Sequence, residues 1–222
     1  MLPLVPSIPT DRPLRVLCLG AHCDDIEIGC GGTVLALTEQ HRDTAVDWVV
    51  FSSTPTRERE ARASAEAFLV AAKEKTVVVK SFRDGFFPYV GAQIKEEFEQ
   101  LKLAGTPDLI LTHYRNDLHQ DHRLISELTW NTFRRSLILE YEIPKYDGDL
   151  GAPNFFVPLD ESTHQRKIDY ILEHFQSQGD RSWFSREVFA AILRLRGMEA
   201  NSPTGSAEGF YVRKAVLGLE IR

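Results

Sequence analysis

The sequence predicts an α/β protein, a Rossmann-like three-layer sandwich whose mostly parallel sheet is flanked by helices. Three observations predict it. Four short apolar runs recur in the first half of the chain, each the length of a strand buried on both faces. Helical patterns separate these runs, and the strand–helix–strand order favours right-handed crossovers into a parallel sheet. Unusual chemistry follows two of the runs, at the carboxyl ends of strands, where open α/β sheets bind ligands.

The elements follow in chain order. Four of the eleven prolines fall within the first thirteen residues. Proline lacks a donor and fixes φ, so residues 1–14 read as an extended arm and 15–222 as one domain. Val16-Leu17-Cys18-Leu19 is the first strand, closed by Gly20-Ala21. Gly29, Gly31 and Gly32 then lead to Thr33, a plausible N-cap for a helix through Val34, Leu35 and Leu37. Trp48-Val49-Val50-Phe51 is the second strand, and residues 57–72 form a helix carrying Glu58, Arg62 and Glu66 at four-residue spacing. Val77-Val78-Val79 is the third strand, 94–103 a helix, and Leu109-Ile110-Leu111 the fourth strand. A helix is expected from Arg123 to about residue 135 and a strand over 137–143. Residues 144–158 are turn-rich. Helical patterns return at 167–175 and 185–196, with a closing strand or two at 210–221.

Composition excludes several classes. Lys plus Arg number 26 against 32 Asp plus Glu, a net charge of −6, which argues against a protein built to coat nucleic acid or an anionic membrane. No apolar run approaches the roughly 18 residues of a spanning helix. The first residues, MLPLVPSIPTDRP, lack the pattern of a signal peptide. The three cysteines, at 18, 23 and 30, are too few and too close for a disulfide framework. A cytoplasmic globular protein is expected, with homo-oligomerisation left open.

The first strand runs into His22-Cys23-Asp24-Asp25, and the fourth into a segment from His113 through Asn116-Asp117-Leu118-His119-Gln120-Asp121-His122. In a parallel sheet both strand ends face the same side, so these loops can meet. Two histidines and a carboxylate with open positions form a catalytic rather than a closed structural metal site. Either loop alone has an ordinary reading as surface histidines and capping acids. Their pairing on one face is what points to a metal.

His22-Cys23-Asp24-Asp25 followed by Glu27-Ile28-Gly29-Cys30-Gly31-Gly32-Thr33 closely resembles the first signature of the PIG-L/LmbE zinc deacetylases. The segment Asn116–Arg123 resembles the second motif of that family. Weaker echoes occur at Arg57-x-x-Glu60, Asp84-Gly85, His174 through Gln178, and Ala207-Glu208-Gly209-Phe210. The resemblance departs at Cys23, where the family usually has proline.

It implies that His22, Asp25 and His122 hold Zn²⁺, with Fe²⁺ chemically admissible for the same donors. It implies that Asp24 is the general base, and that His119 stabilises the oxyanion and protonates the leaving amine. The implied reaction removes an N-acetyl group from a GlcNAc-type amino sugar or glycoconjugate, through a metal-bound water. Asp121 is expected beside a histidine as an orienting or charge-stabilising group, or as a helix cap. Arg57, Asp84, Asp117 and His174 are the expected substrate contacts, with a solvated face as the ordinary alternative for Arg57. Cys23 and Cys30 lack a second cysteine pair and read as small buried thiols.

Three rivals remain. A dinucleotide fold is disfavoured because the glycine spacing is wrong and two acids stand where a pyrophosphate would approach. A non-heme Fe(II) oxygenase could use the same His₂Asp set. A catalytically silent carbohydrate-binding protein could retain the fold.

Overall fold

The computed structural model describes residues 3–5 and 7–216. Among the described residues, seven strands form one sheet: β1 (Leu14–Gly20), β2 (Thr44–Val50), β3 (Glu74–Val79), β4 (Leu109–His113), β5 (Leu137–Tyr141), β6 (Phe155–Pro158) and β7 (Ala207–Tyr211). Their spatial order is β3-β2-β1-β4-β5-β7-β6. β1 to β5 pair in parallel, and β7 runs antiparallel to both β5 and β6. The helices that connect them are α1 (Asp25–Gln40), α2 (Pro55–Phe68), α3 (Gly91–Leu103), α4 (Gln120–Thr132), α5 (Glu161–His174) and α6 (Arg186–Glu199).

Strand alternation divides the core into two layers. Val16 and Cys18 of β1 join α1, α2, α5 and α6 on one face, whereas Leu17 and Leu19 join α3 and α4 on the other. α1 and α4 therefore lie on opposite faces, and the sheet order reverses between β1 and β4. Ligands in doubly wound sheets bind at such a reversal.

Several expectations shift at their boundaries. α1 begins at Asp25 rather than near Thr33, and the glycines lie inside it. They are there for packing. A Cβ on Gly29 would stand 2.2 Å from the Tyr141 ring, and one on Gly31 would stand 2.5 Å from Phe68. Thr33 caps nothing; its N–H and hydroxyl both donate to Glu208, at 2.7 and 2.6 Å. Buried Lys167 in turn donates to Glu208 at 2.5 Å and to the Ile28 carbonyl at 2.6 Å, tying α5 and β7 to α1. A buried charge of this kind persists only when paired.

α2 starts at Pro55 with Thr54 as its cap and ends at Phe68, short of the expected residue 72. α4 starts at Gln120, three residues before its expected start, which places His122 on the helix. β6 arises inside the turn-rich segment. The closing strand is Ala207–Tyr211, and the part of that expectation at 217–221 lies outside the described residues. Leu14 already belongs to β1, and the arm before it is fastened by Arg12, which donates twice to Asp108 at 2.7 Å.

Candidate metal centre

β1 delivers Ala21 and His22 to the crevice, and Asp24 turns the chain into α1. Asp24 adopts φ 109°, a left-handed conformation that aspartate tolerates better than most residues. That turn folds the loop onto itself, so the His22 N–H donates to Asp25 Oδ2 at 2.6 Å. β4 ends at His113, whose buried Nε2 accepts the Ala21 N–H at 2.9 Å and welds the two strand ends together. The chain then runs through Asp117 to His119, the N-cap of α4, whose Nδ1 accepts the Asp121 N–H at 3.3 Å. His122 follows in the first turn of the helix.

Three donor atoms converge. His22 Nδ1 lies 3.3 Å from Asp25 Oδ2 and 3.2 Å from His122 Nε2, and the last two are 3.6 Å apart. Metal–ligand bonds of about 2.0–2.1 Å in tetrahedral geometry require donor separations of about 3.3 Å. The spacing therefore fits a divalent metal. Each imidazole also has a carboxylate behind it: His22 Nε2 faces Asp121 Oδ2 at 3.3 Å, and His122 Nδ1 faces Asp117 Oδ2 at 2.9 Å. Carboxylates in those positions fix the tautomer and aim of ligating histidines. His113 also falls within reach of Asp25 and His122, as His119 does of His22 and His122. The Nε2 of His113 is committed to the Ala21 N–H, which favours His22 and His122 as the histidine donors.

The charge states suit ligation. Burial and the neighbouring His113 push His122 down to about 3, leaving its imidazole neutral. Burial opposes the charge on Asp25, yet the protonated ring of His22, 3.3 Å from Oδ2, helps to hold that carboxyl well below its usual range. Burial likewise opposes a proton on His22, but Asp121 and Asp25 prevail and raise its pKa, so metal binding there must displace a proton.

Asp24 stands beside this cluster. Burial pushes its carboxyl up to about 7 against the pull of Arg57, whose guanidinium lies 3.0 Å away. Arg57 also donates to the Cys23 carbonyl and stacks over Phe175 at 5.7 Å. The guanidinium is thus engaged by Asp24 and its loop, with Nε left without a hydrogen-bond partner among the described residues. The Asp117 carboxylate is buried against His122, the His119 N–H and Lys145.

Asp121 sits behind His22, accepting the Gly85 and Phe87 N–H groups at 2.6 and 3.1 Å. Asp84 is largely exposed at the mouth, with Oδ1 3.0 Å from His22 Nε2. His119 presents its ring 4.8 Å from that of His22 and 4.6 Å from that of His122. Burial, then the charge of His22, lower its pKa. The His174 ring packs on Tyr170, and the next residue, Phe175, lies under the Arg57 guanidinium. Cys23 turns inward, its thiol donating to the Ser52 carbonyl at 3.3 Å. Sequence reasoning gave too little weight to His113 and missed Lys145 and Asp149, which brace Asp117 and Leu118. His113 ends a strand beside the second motif and could have been found; the other two carry no local signal.

The fold and the cluster together define a doubly wound α/β protein with a candidate metal centre at the reversal of its sheet. The chain belongs to the PIG-L family: the family model described as "PIG-L: GlcNAc-PI de-N-acetylase" matches residues 17–133, more than half of its length. Solved structures share the fold. The conserved protein TT1542 of Thermus thermophilus is 19% identical with a TM-score of 0.72, over 94% of this chain and 99% of that one. The N,N'-diacetylchitobiose deacetylase of Pyrococcus horikoshii is 21% identical with a TM-score of 0.66, over 90% and 83%. GalB, the 4-carboxy-2-hydroxymuconate hydratase of Pseudomonas putida KT2440, is 16% identical with a TM-score of 0.72, over 94% and 99%. At these identities the likeness is one of fold, and the fold carries more than one chemistry.

Proposed function

We propose that the protein is a metal-dependent deacetylase that hydrolyses the N-acetyl group of a GlcNAc-type amino sugar or glycoconjugate, with zinc as its metal and Fe²⁺ compatible with the same donors. The observation that carries this reading is the convergence of three metal donors with the buried Asp24 carboxyl beside them, in a chain of the PIG-L family. A divalent metal held by His22, Asp25 and His122 would supply Lewis acidity, polarising the acetyl carbonyl and acidifying water.

The chain's own groups do the rest. Asp24 accepts the proton of the attacking water, and Arg57 keeps that carboxylate in place. His119, across the cluster, in its protonated form steadies the developing oxyanion, gives its proton to the sugar nitrogen as the C–N bond breaks, and is recharged by the proton that Asp24 took from the water. Acetate and the free amine leave. Asp121 and Asp117 hold the two histidine donors from behind. Asp84, exposed at the mouth, is the remaining acceptor for a sugar hydroxyl. Three free, buried cysteines suit a reducing compartment, and we assign the protein to the cytoplasm.

Metal analysis of the purified protein, coupled to an acetate-release screen over GlcNAc conjugates, tests the reading. Asp24→Asn should keep the metal and lose about 100-fold or more in kcat. Full activity in Asp24→Asn, or acetate release by metal-free protein, would overturn the mechanism. Turnover without oxygen separates the hydrolase from the Fe(II) oxygenase, and amine release separates it from a silent binding protein.

A further inference from the structure

The turn that follows β5 reaches back to the second metal loop. Lys145, almost buried, donates from Nζ to Asp117 Oδ2 at 2.9 Å and to both oxygens of Asp149, at 2.7 and 2.5 Å. Asp149 Oδ2 accepts the Leu118 N–H at 2.7 Å. Asp117 Oδ1 accepts the His119 N–H, also at 2.7 Å. Asp117, Leu118 and His119 are thus fastened in succession by one lysine shared between two carboxylates.

The arrangement depends on the lysine charge. Asp117 and Asp149 are both nearly buried, with side chains 2% and 7% exposed, and without a cation between them they would repel across a poorly solvated gap. Arg123 separately holds the Asp117 and Leu118 carbonyls from α4. Loss of Lys145 therefore loosens the amide side of this loop without releasing the whole of it. His122 is less exposed to the change, because it sits within α4 and its Asp117 bond comes from its own ring.

We propose that Lys145 and Asp149 are positioning residues that set the place of His119 in the cluster. The inference rests on the reading of His119 as the group that meets the leaving amine. A displacement of about 1 Å in such a group can cost about 100-fold in rate.

The test uses the full chain with Lys145→Met, Lys145→Arg and Asp149→Asn, each also in a His119→Ala background. Amide exchange is followed on metal-free protein, and kcat, KM and zinc content on zinc-loaded protein. In Lys145→Met, exchange at Leu118 and His119 should quicken about tenfold or more while the strands keep their protection. Its kcat should fall about tenfold or more, with KM within about twofold and zinc content unchanged. Lys145→Arg should restore most of the loss. Asp149→Asn, which keeps an acceptor for Leu118, should show a smaller effect of the same kind and serves if Lys145→Met does not fold.

In the His119→Ala background, Lys145→Met should cost nothing more. Unchanged exchange at Leu118 and His119, an equal further loss without His119, or zinc loss in step with kcat would overturn the proposal. If the wild type releases no acetate from any conjugate, the deacetylase reading fails, and the exchange data alone then decide whether the strap exists.

Discussion

The loop after β1 holds its chemistry in four consecutive residues and closes on itself, through a left-handed Asp24 and the His22 N–H on Asp25. The loop after β4 spreads from His113 to His122 and is held by side chains from elsewhere: Lys145 and Asp149 after β5, and Arg123 on α4. Both deliver one imidazole with a carboxylate behind it. The two constructions teach that equivalent donors can be set by local backbone geometry on one side and by long-range charge pairing on the other. The first should tolerate changes elsewhere in the chain better than the second, except at Arg57, His113 and Asp121, which also hold it.

The largest effect should come from the donors themselves. His122→Ala should abolish metal retention after dialysis, whereas His113→Ala should keep a bound metal, because its ring joins the strand ends rather than offering a free lone pair. Metal retained by His122→Ala and lost by His113→Ala would move the centre toward Asp25 and His113. A smaller effect lies in the carboxylates behind the rings. Asp121→Ala and Asp117→Ala should each weaken zinc about 10- to 100-fold in competition with a chromophoric chelator. Of the two, it is Asp117→Ala that should also disturb the His119 amide, whose N–H Asp117 accepts.

Next comes the packing of the first loop's helix. Gly29→Ala drives a methyl into the Tyr141 ring and should cost about 3 kcal/mol in urea unfolding. No loss, or the gain of about 1 kcal/mol expected of an exposed helical Gly→Ala change, would show that α1 can slide, and that the first loop is less self-contained than its hydrogen bonds indicate. A further effect is one of pH. Burial pushes the Glu27 carboxyl up to about 8 against the pull of the neighbouring Ser64 hydroxyl. A raised carboxyl pKa means that the folded state holds its proton longer, so stability falls as pH rises from about 4.5 to about 8. Glu27→Gln should flatten that part of the stability profile; an unchanged slope would assign it to other groups.

Much of the fold was legible because the strands announce themselves as apolar runs and the crossovers obey a fixed hand. β6 was not, since Phe155, Phe156 and Val157 stand among prolines and glycines that read as turn. The start of α1 was misread for the opposite reason. Its glycines look like a loop in isolation, and only the Tyr141 and Phe68 rings explain their place in a helix. The residues of both metal motifs could be named from spacing and resemblance. Arg57 and Asp117 could be named but not placed, because whether a charged group faces a ligand or a neighbouring charge depends on contacts remote in sequence.

Cys23, the residue that replaces the usual proline, has its thiol turned into the core, where burial raises its pKa to about 12. Cys18 and Cys30 are buried as well. Thiols so protected react with alkylating reagents only when the chain around them opens. The departure thus supplies a built-in clock: the labelling rate of Cys23, followed with and without zinc, measures how often the loop carrying His22 and Asp25 comes apart.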